Sequence, residues 1–416
     1  MTRLLLSVGT ALLLTAGTVW AGPFEDAATA YGRGDYATAL KTFQSLAAQG
    51  NAMAQFNLGI LYEKGRGVPQ DYAKAREWYE KSAAQGNAEA QYNLGVFYNR
   101  GYGVPQDFAE ARQWYEQAAA QGNAIAQFNL GVIYDNGYGA PKDYAKAREW
   151  YEKAAAQGYA TAQYNLGLQY ANGRGVPQDY KTARQLWEQA AAQGYALAQY
   201  HLGVIYDNGH GVLKDYAKAR QWYEKAAAKN DASAQSNLGV LYENGRGVPQ
   251  DYKKAQQWYE QAAAQGNAIA QFNLGVIYDN GYGAPKDYAK AREWYEKAAA
   301  QGYATAQYNL GLQYANGRGV PQDYKTARQL WEQAAAQGLM AAMNNLGAMY
   351  ENGLGASQDY VWAYMWYSLA VEHRIDTPQK FAADNRDRVA RRMIPAQITE
   401  AQRLAQQCQA QNFKGC

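Results

Sequence analysis

Residues 51–86 read NAMAQFNLGILYEKGRGVPQDYAKAREWYEKSAAQG, and closely similar stretches follow at a constant spacing of 36 residues. The tripeptide Asn57-Leu58-Gly59 marks the register, and it returns eight more times without insertion or deletion, once with His201 in place of the asparagine. A period of this length is typical of stacked supersecondary units that bury their apolar faces against one another. The nine units run 51–86, 87–122, 123–158, 159–194, 195–230, 231–266, 267–302, 303–338 and 339–374.

Within the first unit, the apolar residues follow the period of an α-helix twice. Ala54, Leu58 and Leu61 fall on one helical stripe, and Ala75 and Tyr79 fall on a second. Apolar residues at spacings of three and four predict a helix with one side facing a core. Each unit is therefore predicted to consist of a first helix, a loop and a second helix.

The residues at the ends of the two stripes have the character of helix caps. Residues 65–70, GRGVPQ, break the pattern with two glycines and a proline. Asp71 suits the N-cap of the second helix and Asn51 that of the first, because short polar side chains accept hydrogen bonds from free amides. Gly86 suits the position after the second helix, where a left-handed backbone is common.

The stretches on either side of the nine units depart from the pattern. Residues 22–50 read as a shortened helical pair, and residues 375–416 read as two helices. The end units of a repeat array need a polar outer face, so both stretches are predicted to cap the array formed by residues 51–374. Inside the array, residues 113–194 are identical to residues 257–338, which is an internal duplication displaced by four units.

Residues 1–21 have the layout of a secretory signal peptide. Arg3 gives a short positive region, residues 4–19 are apolar, and residues 19–21 (VWA) fit the small-x-small pattern before a cleavage site. Removal of this segment would leave Gly22 as the first residue of a periplasmic or secreted chain. The alternative is a buried or membrane-spanning helix, for which the apolar run is short. No later segment is apolar enough to cross a bilayer, so no membrane span is expected after the signal is removed.

The charge balance of the chain excludes one class of partner. There are 40 basic and 37 acidic residues, a net charge of +3, and they are spread evenly along the sequence. Proteins that bind nucleic acid usually concentrate basic residues on one face, so no nucleic-acid partner is expected. The only two cysteines, Cys408 and Cys416, lie in the last nine residues. In an exported protein they can form a disulfide that closes a small loop, and the alternative is two free thiols.

Four columns of the first helix vary between units, and we call them the first-helix face. Positions 53, 56, 60 and 63 of the first unit, with their equivalents 36 residues apart, share one side of the helix by their spacing. The second column is aromatic in seven of nine units, at Phe56, Tyr92, Phe128, Tyr164, Tyr200, Phe272 and Tyr308. The fourth column is largely acidic and includes Asp135, Asp207 and Asp279.

Three interpretations of the first-helix face stay open. Aromatic and acidic side chains on an open face favour recognition of a partner. The aromatic column could instead pack against the next unit, or the whole face could simply be solvated.

The sequence contains no pattern of catalytic residues. The three histidines, His201, His210 and His373, lie at unrelated positions, and no zinc-protease, dithiol, serine-hydrolase or phosphate-loop motif occurs. The glycines before Asp71 recur in every unit ahead of an acidic cap, which is a poor cradle for phosphate. We therefore expect no catalytic residue, no cofactor and no metal site.

The repeated pattern A-x-A-Q-x-N-L-G-x-x-Y-x-x-G-x-G-V-x-x-D-Y-x-x-A-x-x-W-Y-x-x-A-A resembles the Sel-one-like repeat family, a subclass of tetratricopeptide-like α-solenoids. The resemblance covers residues 51–374. It implies an all-α, right-handed superhelical α-solenoid with helical end caps and with the first helices lining the concave side. It also implies an adaptor that holds other proteins, and exported bacterial members act in envelope signalling, polysaccharide assembly and host contact.

Together the residues and the resemblance predict a non-enzymatic exported adaptor that binds a protein through the concave face. The partner is unidentified and belongs to the envelope polysaccharide machinery or to a host. One alternative is a carbohydrate-binding or polysaccharide-assembly scaffold, because aromatic rings beside acids also suit sugars. A further alternative is a cell-wall or β-lactam hydrolase. The absence of cysteine from every repeat argues against the cysteine-rich subgroup to which such activity is linked.

Overall fold

The computed structural model describes residues 22–371, 377–411, 413 and 416, and within these residues every regular element is an α-helix. The predicted signal peptide, residues 1–21, lies outside the described residues. The helices are α1 Pro23–Gly32, α2 Tyr36–Ala48, α3 Ala52–Lys64, α4 Tyr72–Ala84, α5 Ala88–Arg100, α6 Phe108–Ala120, α7 Ala124–Asn136, α8 Tyr144–Ala156, α9 Ala160–Asn172, α10 Tyr180–Ala192, α11 Ala196–Asn208, α12 Tyr216–Ala227, α13 Ala232–Asn244, α14 Tyr252–Ala264, α15 Ala268–Asn280, α16 Tyr288–Ala300, α17 Ala304–Asn316, α18 Tyr324–Ala335, α19 Met340–Asn352, α20 Tyr360–Val371, α21 Thr377–Ala390 and α22 Pro395–Ala410.

The prediction of an all-α stack of helix pairs is confirmed. The odd-numbered helices α3 to α19 are the first helices of repeats 1 to 9, and the even-numbered helices α4 to α20 are the second helices. The chain divides between Ala198 and Gln199 into two compact units. Within each unit, a second helix packs against the first helix of its own repeat and against the first helix of the next.

The predicted caps of the repeat are present. The Asn51 side chain accepts a hydrogen bond from the Ala54 amide at 2.9 Å, and the Asp71 carboxylate accepts one from the Lys74 amide at 3.0 Å. Gly65 ends α3 with a φ of 65°, a left-handed conformation that residues with a side chain resist. The aspartate cap recurs at the second helices, whereas the first helices α9, α17 and α19 begin at the same position without a side-chain cap.

The two helices of a repeat approach each other closely at one glycine. The ring of Tyr79 lies over Gly59, and a Cβ atom built on Gly59 would fall 2.5 Å from that ring. Tyr79, Leu58 and Leu61 are fully buried around this contact. The Asn-Leu-Gly signature thus combines a core leucine with a glycine that admits the facing aromatic ring.

Pairs of one buried and one exposed glutamine help to join consecutive repeats, and the periodicity gave no sign of them. Gln85, which follows α4, donates a hydrogen bond from Nε2 to Gln55 Oε1 at 2.8 Å. Gln55 in turn donates from its own Nε2 to the Ala47 carbonyl at 3.2 Å, near the end of the preceding second helix. Such terminal carbonyls have no partner within their helix. The Ala47 carbonyl already accepts a hydrogen bond from the Gly50 amide, and the glutamine adds a second donor. The glutamine pair recurs at Gln91–Gln121, Gln127–Gln157, Gln163–Gln193, Gln235–Gln265, Gln271–Gln301 and Gln307–Gln337.

The C-terminal helices close the second unit. Helices α21 and α22 both pack against α20, and Val389, Ala401 and Ala405 are buried there. A disulfide joins Cys408 and Cys416, whose Cα atoms lie 5.6 Å apart.

Candidate functional site

The aromatic column of the first-helix face is more deeply buried than an open binding face would be. The exposed fraction is 3% for Tyr92, 5% for Phe128 and 9% for Tyr164. Phe56, Tyr200, Phe272 and Tyr308 are half-buried. A role of these rings in binding a partner stays a prediction, because most of their surface is engaged within the chain.

Two kinds of ring contact account for this burial. Each ring lies beside the aromatic residue of its own second helix, with centroids 5.8 Å apart for Phe56 and Tyr79. The same contact occurs at Tyr92–Tyr115, Phe128–Tyr151, Tyr200–Tyr223, Phe272–Tyr295 and Tyr308–Trp331. Some rings also touch a tyrosine just before the next first helix, at Phe128–Tyr159, Tyr164–Tyr195 and Phe272–Tyr303. The column therefore packs both within and between repeats.

The acidic column of the first-helix face accepts hydrogen bonds from buried tyrosines. Glu63 Oε2 accepts from the Tyr79 hydroxyl at 2.6 Å, and Asp207 accepts from the Tyr223 hydroxyl at 3.2 Å. Burial raises the pKa of Tyr79 well above its usual range, and the Glu63 carboxylate raises it further. A phenol in this setting keeps its proton and acts as a donor to the carboxylate. The repeat pattern indicates the acidic column but not this tyrosine partner.

Asp135 and Asp279 have a different internal partner. Gln169 donates from Nε2 to Asp135 at 3.3 Å, and Gln313 donates from Nε2 to Asp279 at 3.2 Å. These glutamines occupy a column that is otherwise apolar, the column of Leu61. Both pairs lie in the duplicated segments, and each compact unit holds one of them.

Two repeats replace both members of the tyrosine–carboxylate pair together. In repeat 4 the tyrosine becomes Trp187 and the acid becomes Ala171, and the Trp187 indole donates to the Tyr164 carbonyl at 3.0 Å. Repeat 8 makes the same exchange with Trp331, whose indole donates at 3.0 Å. A larger ring and a smaller neighbour keep the volume similar, and the indole finds an acceptor in the backbone.

The two sets of helices differ in charge. The first helices carry seven carboxylates, at Glu63, Glu89, Asp135, Asp207, Glu243, Asp279 and Glu351, and two basic residues, Lys64 and Arg100. The second helices carry arginines that pair with a glutamate one turn later, such as Arg76 with Glu80 at 3.3 Å. Among the described residues, the only ion pairs on the first-helix acids are Lys64 with Glu63 and Arg388 with Glu351. Within each compact unit the first helices are therefore the more acidic set.

Helix α21 covers this face at repeat 9. Arg388 donates from Nε and Nη2 to the two carboxylate oxygens of Glu351, at 2.9 Å and 2.6 Å. Burial raises the pKa of Glu351, but the hydrogen bonds from Arg388 and Tyr367 outweigh it and hold that pKa below its usual value. Asn385 donates to Asn344 Oδ1 at 3.1 Å. Neither contact was anticipated, because α21 lies outside the repeats that the periodicity describes.

Across residues 22–371 and 377–411, no group of three histidine, cysteine or acidic residues is arranged to hold a metal ion. No helix in the described part of the chain has the length and apolarity to span a membrane.

Comparisons with known proteins agree with this architecture. The description "Sel1 repeat" matches residues 52–87, 88–123, 124–159, 160–195, 196–231, 232–267, 268–303, 304–339 and 341–373. The chain is similar to a protective antigen of uropathogenic Escherichia coli that displays an SLR fold. The identity is 36%, the match covers 94% of this chain and 85% of that one, and the TM-score is 0.84.

A second solved structure is a Sel1 repeat protein from Oxalobacter formigenes. It is 38% identical, the match covers 59% of this chain and 96% of that one, and the TM-score is 0.54. No curated protein sequence matches the chain. Nine consecutive repeat matches, together with the close glycine–aromatic contact that each repeat makes, lead to one conclusion: the chain belongs to the Sel1 repeat family.

Proposed function

We propose that this chain is an exported, non-enzymatic adaptor that holds a protein partner on its first-helix face. Repeat solenoids of this kind typically serve as protein-interaction scaffolds. The observation that carries the proposal is the charge difference between the helices, since seven carboxylates and two basic residues lie on the first helices. A surface of one sign favours a partner of the opposite sign and speeds its association.

The accessible part of the face offers apolar and amide groups beside these acids. Met53 and Ile269 are large apolar side chains that remain exposed on first helices. The last residue of the first helix is an exposed asparagine in seven consecutive repeats, at Asn136, Asn172, Asn208, Asn244, Asn280, Asn316 and Asn352. An amide both donates and accepts hydrogen bonds, which suits the main chain of a bound peptide.

Export has its own support. Residues 1–21 have the layout of a signal peptide and precede Gly22. The Cys408–Cys416 disulfide is compatible with an oxidising compartment. The relative from Escherichia coli is described as a protective antigen. We further infer that residues 22–50 and 375–416 serve as the end caps of the repeats.

Site-specific cross-linking tests the proposed face. A benzophenone side chain would replace Met53 or Ile269 on the first-helix face. In the matched controls it would replace Ala73 or Gln261, which are exposed on second helices. Irradiation of exporting cells should give a discrete protein adduct from the first two positions and none from the controls. Adducts confined to the second-helix positions would overturn the proposal.

A second arm of that experiment addresses the scaffold alternative. The purified mature chain would be tested against envelope polysaccharide from the same cells. Glycan binding without any protein adduct from Met53 or Ile269 would contradict the adaptor function and support a polysaccharide-assembly scaffold.

A further inference from the structure

Repeats 6 and 9 share a pair of residues that no other repeat has. The aromatic column holds a small polar residue in these two repeats only, Ser236 and Asn344. Two turns further along the same helix, the acidic column holds Glu243 and Glu351. In both repeats the buried tyrosine of the second helix donates to that glutamate, at 2.6 Å and 2.8 Å.

In repeat 9 another helix of the chain occupies this pair. Arg388 forms two hydrogen bonds to the Glu351 carboxylate, and Asn385 donates to the Asn344 side chain. Asn385 and Arg388 are three residues apart in α21, so they lie on one side of that helix. The Glu351 side chain is only 5% exposed beneath them. Repeat 9 therefore displays, within the structure, the kind of segment that this pair accepts.

In repeat 6 the glutamate of the pair is uncovered, whereas the serine is buried. Glu243 is half-exposed, and among the described residues no basic side chain pairs with it. The position that holds Lys64 in repeat 1 is Asn244 here, so the repeat supplies no cation of its own. The Ser236 hydroxyl is buried, at 2% exposure for the residue, and has no hydrogen-bond partner in the described part of the chain. A half-exposed carboxylate and an unsatisfied hydroxyl thus lie two turns apart on one side of α13.

We propose that repeat 6 is a docking site for an arginine-bearing helix of a protein partner, which places its guanidinium on Glu243, in a repeat where Ser236 replaces the aromatic ring of the first-helix face. The proposal rests on the adaptor function and names the chemistry of the segment that is bound. The favoured side chain is arginine, because its planar fork matches both oxygens of a carboxylate and a lysine ammonium does not. The chain's own α21 is engaged at repeat 9, so the occupant of repeat 6 comes from another protein.

The probe is a synthetic peptide with the sequence of residues 377–392, blocked at both ends and carrying a fluorescent label. It is titrated onto the full mature chain and followed by fluorescence anisotropy. Saturable one-to-one binding is expected. A peptide with Arg388→Leu should bind at least about tenfold more weakly, because a charge-assisted pair is lost. The tethered α21 competes for repeat 9 at high effective concentration, so the free peptide reports on repeat 6.

Two matched variants of the chain locate the site. Glu243→Gln keeps the side-chain shape and the acceptor for Tyr259 but removes the charge. It should weaken binding of the peptide by about tenfold. Glu63→Gln makes the same change in repeat 1, where Phe56 and Lys64 are the neighbours, and it should leave the affinity unchanged. Circular dichroism of both variants checks that the fold is retained.

Each other outcome overturns the inference in a recognisable way. No binding, equal affinity for Glu243→Gln and wild type, or equal losses in the two variants would remove repeat 6 as an arginine site. If cross-links from Met53 or Ile269 are found in that case, they would still support the adaptor function. The wild-type chain could also associate with itself, and Glu243→Gln could abolish that association. This outcome would identify the occupant as a second copy of this chain and exclude a different protein.

Discussion

At the scale of single residues, the tyrosine–carboxylate pair is the feature with the clearest energetic consequence. Tyr259 donates to Glu243 at 2.6 Å. Burial raises the pKa of Tyr259 above its usual range, and the Glu243 carboxylate raises it further. The ordinary tyrosine pKa is about 10, so the unfolded chain releases this proton at a pH where the folded chain still holds it. Stability is therefore full below about pH 10 and falls as the pH rises beyond it.

This argument gives a prediction for Tyr259→Phe. At about pH 8 the variant should be less stable than wild type by about 1 kcal/mol, because Glu243 loses a donor. At about pH 11 the difference should shrink, because only the wild type has a phenol whose ionisation in the unfolded chain lowers the free energy of unfolding. Urea unfolding followed by circular dichroism at both pH values measures the difference. Tyr138→Phe, at an exposed loop position, is the control, and a Tyr259→Phe difference that does not change with pH would refute the argument.

At the scale of helices, the exchange of tyrosine and acid for tryptophan and alanine suggests that two columns are coupled, although repeat 2 keeps Tyr115 with Asn99 in the acidic column. Trp187 belongs to α10 and Ala171 to α9, and both are buried. Changing only one of them leaves either a buried carboxylate without its hydroxyl or a hydroxyl without its carboxylate. The helix pair accepts either combination, as its neighbours in the stack demonstrate.

The coupling predicts the outcome of a double-mutant cycle. Trp187→Tyr should destabilise the chain by about 2 kcal/mol through the cavity and the lost indole donor, and Ala171→Glu by a similar amount through burial of a charge. The double variant should cost less than the sum by about 1 kcal/mol. Urea unfolding of the four proteins measures this. Trp331→Tyr with Ala315→Glu repeats the test within the duplicated sequence, and strict additivity in both places would contradict the coupling.

The helices themselves could be predicted from the sequence because their signals are local. The stripe of Ala54, Leu58 and Leu61 repeats every three or four residues, and all three are fully buried. The caps Asn51 and Asp71 act on amides three residues away. Such short-range patterns do not depend on how one helix lies against another.

The contacts between columns could not be predicted in the same way. The hydroxyl of Tyr79 reaches Glu63 across two helices, and periodicity gives the side of each helix but not the reach of a side chain. The burial of Tyr92 has the same origin, because its ring turns towards its own second helix. The contact of Arg388 with Glu351 joins a repeat to a segment without any repeat. The partner-binding role assigned to the aromatic column stays a prediction.

At the scale of the whole molecule, the protein that reaches its working compartment is predicted to be shorter than the translated chain. The first described helix, α1, begins at Pro23, directly after Gly22. A signal peptide would be removed just before this point, and the helix would not be cut. Export therefore requires no change within the described residues.

N-terminal sequencing of the protein from a periplasmic or culture fraction should give Gly22 as the first residue. Replacing Ala21 by a bulky residue should slow processing, because the cleavage site needs a small side chain at that position. Recovery of a chain that still carries Met1 from the cytoplasm would contradict the prediction of export.

The identical segments 113–194 and 257–338 also affect how the gene can change in length. Recombination between the two stretches would delete or add four repeats while keeping the reading register, because the 36-residue spacing is never broken. Each segment is longer than two repeats, so every helix-to-helix interface along the product already exists in the parent. Chains of five or thirteen repeats would then inherit caps, cores and glutamine links intact. Natural variation in this protein is therefore expected to include steps of four repeats, in addition to single substitutions.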